Sequence, residues 1–348
     1  MKKILMFVFF LGLVGSLTAQ IPSYYNDVDL TLRGQDLKTE LANKIIATHS
    51  SQVDYSDLWE VYRQSDISVT DSSKLYLIYG WENGQDGDCH NDILRDTIKH
   101  GGSVARCEYN REHVFPRSLG NPDLGSTGAG SDAHHVRPAD VQLNGNRGNK
   151  KFSAGSGHAG TVNGSFWYPG DEWKGDVARI ILYLYLRYDT QCLPDSVGEG
   201  NPVASDPHMV DLFLQWNAED PPSELEDRRN EAVYQIQGNR NPFIDNPYLA
   251  TLIWGGPQAQ DRWNMSVLQN RWENHISVYP NPAHQEIYVE VPGEPYGLEL
   301  RNVSGQVLRR KINLRSETVI DVKSLPDDVY FLLIFTDRNQ VLKKIIKH

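Results

Sequence analysis

The sequence predicts an α+β chain, with a mostly helical N-terminal domain followed by a small C-terminal β-sandwich. Three observations predict it. Apolar residues in segment 36–47 recur at four-residue spacing (Leu37, Leu41, Ile45), the stripe of an amphipathic helix. Beyond residue 275 the pattern changes to short alternating strands: 286–291, 298–300, 318–322, 329–335 and 341–346. Between the two lies a polar run from Gly255-Gly256-Pro257 to Asn274, read as a linker over 258–274. The 348 residues exceed one typical domain, and 39% hydrophobic and 10% aromatic content is enough to fill real cores.

The elements follow in order. Lys2-Lys3, the apolar stretch Ile4–Val14 and the small residues Gly15–Gln20 read as a secretory signal peptide over 1–20, too short to be a good membrane span. The N-terminal domain that follows is expected to cover 21–257. Residues 21–100 read as mainly helical, with a second helix over 57–63, a strand candidate at 74–79 and a glycine-rich surface loop over 82–103. The segment YNREHVFPRS (109–118) reads as a strand, on which Glu112 and His113 point to opposite faces. Residues 118–131 form a loop, and Pro138 fits the first turn of a helix running through Asn144 and fraying at Gly145 or Gly148. Segment 175–188 is apolar almost all round and reads as a buried helix, with a central strand as the alternative. Ser223 to Glu226 opens a capping box, and that helix should end at Gly238. The sequence carries no internal repeat.

A formal net charge of -11 argues against polyanion binding through the overall field, so any phosphate site must rest on a local patch. Segment 106–151 supplies one. Its seven cations (Arg106, Arg111, Arg117, Arg137, Arg147, Lys150, Lys151) outnumber its five acids (Glu108, Glu112, Asp123, Asp132, Asp140). An exported chain can oxidise its thiols, and of Cys89, Cys107 and Cys192 the first two are the expected pair, since both flank the polar region. No CxxC occurs, which disfavours a cysteine zinc site.

Glu112, His113 and Asn144 together suit phosphodiester hydrolysis. That reaction needs a nucleophilic water, a base for its proton, and positive charge on the phosphate and leaving oxygens. Histidine suits the base. Mg²⁺ suits the charge, with Mn²⁺ or Ca²⁺ as substitutes, and it prefers oxygen ligands such as a carboxylate and an amide. Strand alternation then puts base and metal on either side of one phosphate, and the helix bearing Asn144 must lie against the Glu112 face.

Four segments, CEYNREHVFPRS (107–118), SDAHHVRPADVQLNGNRGNKKF (131–152), GDVARIILYLYLRY (175–188) and QGNRNPFIDNP (237–247), resemble the secreted bacterial endonuclease I family in the right order. The resemblance covers roughly residues 30–255. It implies a ββα-metal (His-Me) finger and a non-specific nuclease that cuts DNA and, in several members, RNA. By position His113 matches the family's general base, and Glu112 and Asn144 match its Mg²⁺ ligands. The family also uses an arginine near the scissile phosphate, placed by some members in the loop before the helix. Residues 118–136 hold no arginine, and Arg137 and Arg147 are expected in that role. His134, Arg111 and Arg117 are expected as substrate or supporting contacts, with the pair His134-His135 more structural than catalytic. Tyr183, Tyr185 and Tyr188 read as core, and segment 239–243 as a structural clamp. The tail segments ISVYPNPA (276–283), NVSGQVL (302–308), LPDDVY (325–330) and KKIIK (343–347) resemble the C-terminal sorting domain of the type IX secretion system. This implies export across the outer membrane by that machinery, and a monomer in solution is expected.

Two other functions compete. A zinc hydrolase could use Glu112, His113 and His134, but no HExxH is present. A non-catalytic nucleic-acid or glycan-binding module would not need the Glu-His…Asn set.

Overall fold

The computed structural model describes residues 21–266, 275–291, 295–315, 317–336 and 340–348. The expected signal peptide, 1–20, and residues 267–274 of the expected linker lie outside them. Among the described residues the elements are α1 (Gly34–Thr48), α2 (Leu58–Ser65), β1 (Lys74–Tyr76), β2 (Leu94–Asp96), β3 (Tyr109–His113), β4 (Val136–Asp140), α3 (Val141–Arg147), β5 (Gly160–Val162), β6 (Phe166–Tyr168), α4 (Lys174–Tyr188), α5 (Pro194–Val197), β7 (Pro202–Val203), β8 (Asp206–Val210), α6 (Asp211–Glu219), α7 (Glu224–Gln237), α8 (Pro242–Asp245) and α9 (Tyr248–Trp254). Then come β9 (Ser277–Tyr279), β10 (Glu286–Glu290), β11 (Tyr296–Arg301), β12 (Val307–Leu314), β13 (Thr318–Asp321), β14 (Val329–Phe335) and β15 (Gln340–Ile346). The chain is a mixture of helix and sheet, in keeping with an α+β class.

Helix α4 organises the first core. Every residue from Gly175 to Leu186 is buried, which excludes the strand alternative and matches its all-round apolar sequence. Each of Ile180, Ile181, Leu182 and Leu184 gains about 1.5–3 kcal/mol by leaving water. Helix α1 lays Leu37, Leu41 and Ile45 into this core. Helix α7 begins at the Ser223–Glu226 capping box and stops at Gly238, whose φ of 88° is left-handed. Charged side chains then tie the elements together: Arg137 of β4 pairs with Asp66 and Asp176, and Arg179 of α4 pairs with Glu226 of α7.

Three expectations change. Residues 21–100 carry two α-helices only, α1 and α2, among the described residues; from residue 66 onward the chain is strand and loop, closed by the disulfide Cys89–Cys107 (Cα–Cα 6.0 Å). Pro138 does not start a helix. It lies in β4 opposite Arg111, where its carbonyl accepts from the Ile78 amide. A proline lacks only a donor, so a short strand tolerates it as well as a first helical turn does. Residues 258–266 are not free linker. Ala259, Trp263 and Met265 are buried, Trp263 packs on Tyr25, and Arg262 pairs with Asp227.

In the C-terminal stretch two antiparallel sheets, ordered β13-β10-β9 and β12-β11-β14-β15, share one buried cluster. The alternation of β14 explains it: Tyr330, Leu332 and Ile334 are buried and their neighbours less so.

Candidate active site

Strands β3 and β4 pair antiparallel, Tyr109 opposite Asp140, Glu112 opposite Arg137 and His113 opposite Val136, and α3 follows at once. Asp140 makes the corner. It ends β4 and caps α3, accepting from the amides of Gln142 (2.8 Å) and Leu143 (3.2 Å). His90 (3.1 Å) and Arg95 (3.3 Å) pair with the same buried carboxylate. Arg95 also donates to the carbonyls of Cys89 and Cys107, so the disulfide braces this corner.

Period-two alternation puts Arg111 and His113 on one face of β3 and Asn110 and Glu112 on the other. The His113 ring stacks on Tyr55 (5.3 Å between centroids) and meets His135 edge-on (5.5 Å). Its Nε2 lies 2.9 Å from the Gly130 carbonyl. A carbonyl only accepts, so Nε2 carries the proton and Nδ1 the lone pair. Burial first, and the His135 charge second, push the His113 pKa down to about 3, which leaves the ring neutral at physiological pH. Arg117 and Arg111 act in the same direction, so both guanidinium groups are felt at the ring.

Glu112 is 2% exposed. Tyr79 donates to its Oε1 (2.9 Å), and Arg147 Nη1 stands 3.2 Å from the same oxygen. Burial raises its pKa to about 7 against the opposing pull of Arg147 and Tyr79. Asn144, in the middle of α3, donates from Nδ2 to Asn110 Oδ1 at 2.7 Å. Asn110 shares a face with Glu112, so α3 lies against the Glu112 side of the strand. Glu112 Oε2 and Asn144 Oδ1 have no hydrogen-bond partner among the described residues. These are two hard oxygens, one on a buried carboxylate held at the edge of ionisation, a donor set that fits a divalent cation of the Mg²⁺ kind. Cys89, His90 and Cys107 also converge, but both sulfurs are spent in the disulfide.

Residues 33–248 match the family described as endonuclease I. This chain belongs to that family. Residues 277–348 match the secretion system C-terminal sorting domain. The chain is 37% identical over 251 residues to an extracellular ribonuclease of Bacillus amyloliquefaciens, covering 68% of this chain and 80% of that one. It is 35% identical over 249 residues to the extracellular ribonuclease of Bacillus subtilis (strain 168), with the same coverage. A periplasmic deoxyribonuclease of Aeromonas hydrophila is 27% identical over 124 residues, 33% of this chain and 47% of that one. The protein is therefore an endonuclease, and its sorting tail marks it for secretion. No helix among the described residues is long and apolar enough to cross a membrane.

The cations of this endonuclease are arranged differently from the expectation. Arg137 is 1% exposed and committed to Asp66 (3.3 Å) and Asp176 (3.2 Å). Arg147 is fully buried. It donates to the carbonyls of His113 (2.9 Å) and Val114 (2.6 Å) and lies over the Phe152 ring (4.7 Å). Neither guanidinium can meet a phosphate without breaking the core, so both are corrected to structural residues. Arg147 instead ties α3 to the end of β3. Arg111 donates to the Tyr55 carbonyl and stacks over Tyr55 (3.7 Å) and Trp59 (4.5 Å). Arg117 is exposed, and among the described residues its side chain is anchored only through Nε to the Leu124 carbonyl (2.8 Å).

His134 and His135 are both buried. His134 Nε2 donates to the Asn239 carbonyl (3.0 Å) beside Tyr183, and His135 bridges the Ala129 carbonyl (2.6 Å) and the Phe115 amide (2.9 Å). His135 thereby ties the loop that carries the Gly130 carbonyl to the end of β3, and His134 ties its segment to Asn239. A side chain at 130 would meet the Gly125 carbonyl at 1.8 Å, so only glycine fits there. Sequence reasoning missed Tyr79, Tyr55 and Asn110. Asn110 could have been found, because it stands two residues before Glu112 and so shares its face.

Proposed function

We propose that this secreted endonuclease hydrolyses phosphodiester bonds of DNA and RNA without sequence preference, using a divalent cation, Mg²⁺ in the first instance. The observation that carries the reading is the two-sided strand β3, with a neutral imidazole on one face and unengaged carboxylate and amide oxygens on the other. Glu112 and Asn144 would hold the cation in a ββα-metal finger made of β3, β4 and α3. When bound there, the cation supplies positive charge to the phosphate and leaving oxygens.

His113 Nδ1 takes a proton from water as the new O–P bond forms and the P–O3′ bond breaks. The products are a 5′-phosphate and a 3′-hydroxyl, whose proton comes from solvent. Gly130 holds the ring in the tautomer that leaves Nδ1 free. A base whose pKa is near 3 is weak, but an arriving phosphate neutralises the field of Arg117 and Arg111 and stabilises the imidazolium. Arg117, the exposed cation acting on this ring, contacts the phosphate. Contacts to the backbone carry no sequence information, which makes cleavage sequence-tolerant. The names of the two Bacillus relatives favour RNA as a substrate, and that of the Aeromonas relative favours DNA. Residues 275–348 would fold as a β-sandwich read by the type IX secretion machinery.

The test is cleavage of plasmid DNA and of ribosomal RNA by the full mature chain, in Mg²⁺ and in EDTA. Cleavage of both polymers, lost in EDTA and in His113→Ala, supports the reading. Cleavage that persists in EDTA contradicts it.

A further inference from the structure

A cleft of about 620 Å³ flanks α3 on the side of the β5–β6 hairpin. None of the residues proposed for catalysis lines it. Its lining includes Leu143 and Gly145, which bracket Asn144 in sequence, together with Trp81, Asn91, Lys150 and Trp167.

Two of these carry polar atoms that the fold leaves unused. Asn91 is 7% exposed. Its Nδ2 donates to Asp86 (2.7 Å), but its Oδ1 is buried with no partner among the described residues. Trp167 is 1% exposed, and its Nε1–H is likewise buried and unpartnered. An orphaned acceptor and an orphaned donor in one cleft each destabilise the fold unless something satisfies them. A ligand with a donor and an acceptor on one edge would satisfy both.

Trp81 adds a flat surface. His158 stacks against one of its faces (5.0 Å between centroids, 13° between planes) and stays outside the cleft, while Trp81 itself is part of the cleft wall. Asp88 in the lining argues against a second phosphate and for an uncharged group. Lys150, also in the lining, can follow the charged backbone. The cleft is close to the reaction centre: Trp167 meets Tyr79 edge-on (5.6 Å), and Tyr79 donates to Glu112.

We propose that this cleft is a nucleobase subsite, which takes one unpaired base of a single-stranded substrate next to the scissile phosphate. Trp81 stacks on the base, and Asn91 and Trp167 bond its polar edge. That edge is free only outside a duplex, so the subsite favours single strands or loops over paired DNA. The inference rests on the nuclease reading for its substrate, but its test does not depend on cleavage.

The experiment is equilibrium binding of a fluorescein-labelled single-stranded octanucleotide in EDTA, read by anisotropy, with an octamer of abasic sites as the control. The proteins are the full mature chain, Trp81→Ala, Trp81→Phe and Asn91→Leu, each checked by thermal melting. Trp81→Ala should weaken binding of the base-bearing octamer by about 5- to 150-fold. Trp81→Phe should restore most of it, and neither change should alter the abasic octamer, held by charge alone. Asn91→Leu should weaken the base-bearing octamer only. Equal binding of both octamers by the unaltered protein, or equal affinity of Trp81→Ala and the unaltered protein for the base-bearing octamer, overturns the proposal. Because EDTA removes cleavage from the measurement, such a result leaves the nuclease reading standing. Loss of cleavage with base-dependent binding intact would do the reverse.

Discussion

Replacing Arg147 by methionine separates a structural arginine from a phosphate-binding one. The guanidinium holds the Glu112 carboxylate and the carbonyls of His113 and Val114, and is fully buried. Methionine keeps much of the volume and none of the donors. Leaving a buried charge unpaired costs about 3–5 kcal/mol, and an unsatisfied carbonyl about 1–3. These losses share one side chain and do not add. Part is also recovered, because the Glu112 pKa is already about 7 and rises further without Arg147, so the carboxyl becomes neutral near pH 7. A net loss of about 3 kcal/mol is expected. Urea unfolding at pH 7.5, followed by tryptophan fluorescence, measures it. The paired change is Arg117→Met, on an exposed side chain, which should alter stability by less than about 0.5 kcal/mol while slowing cleavage. If Arg147→Met unfolds like the unaltered protein and only loses rate, Arg147 is a substrate contact and its assignment here is wrong.

Two further outcomes are expected. His134 and His135 have pKa values near 4 in the fold, lowered by burial, against an ordinary 6.5. The unfolded chain therefore takes up protons first as pH falls, and stability present above pH 6.5 is lost towards pH 4, by up to about 2 kcal/mol per ring between pH 7 and 5. Urea midpoints at pH 7.5, 6 and 5 check this, and a flat profile would count against the buried neutral rings. Gly130→Ala forces a carbon onto the Gly125 carbonyl and so displaces the acceptor that orients His113. It should lower the cleavage rate more than it changes the Mg²⁺ requirement, which steady-state assays across Mg²⁺ concentrations can separate.

Much of the site could be read from the sequence because it depends on local rules. Alternation alone put Glu112 and His113 on opposite faces of β3, and α7 begins and ends where its capping residues stand. The pairing of Cys89 with Cys107 followed from position. What failed depended on partners distant in sequence. Arg137 and Arg147 look like surface cations until Asp66, Asp176 and Glu112 are brought to them, and a charge count contains no burial. Pro138 satisfies a strand and a first helical turn equally, and only its pairing with β3 decides between them. Tyr79 reaches Glu112 across the core with no motif to announce it. Strands β9 and β12 were overlooked, β12 because Arg309, Arg310 and Lys311 mask the alternation of an exposed edge strand.

The most direct test of the central claim, a base and a metal site on opposite faces of one strand, is the Mg²⁺ dependence of plasmid nicking by the unaltered protein, His113→Ala and Asn144→Ala. The account expects His113→Ala to lose about 10²–10⁴-fold in rate at saturating Mg²⁺ with its half-saturating concentration unchanged. It expects Asn144→Ala to need at least about tenfold more Mg²⁺. If His113→Ala moves the Mg²⁺ requirement, or Asn144→Ala leaves it where it was, the two faces do not divide the chemistry in this way.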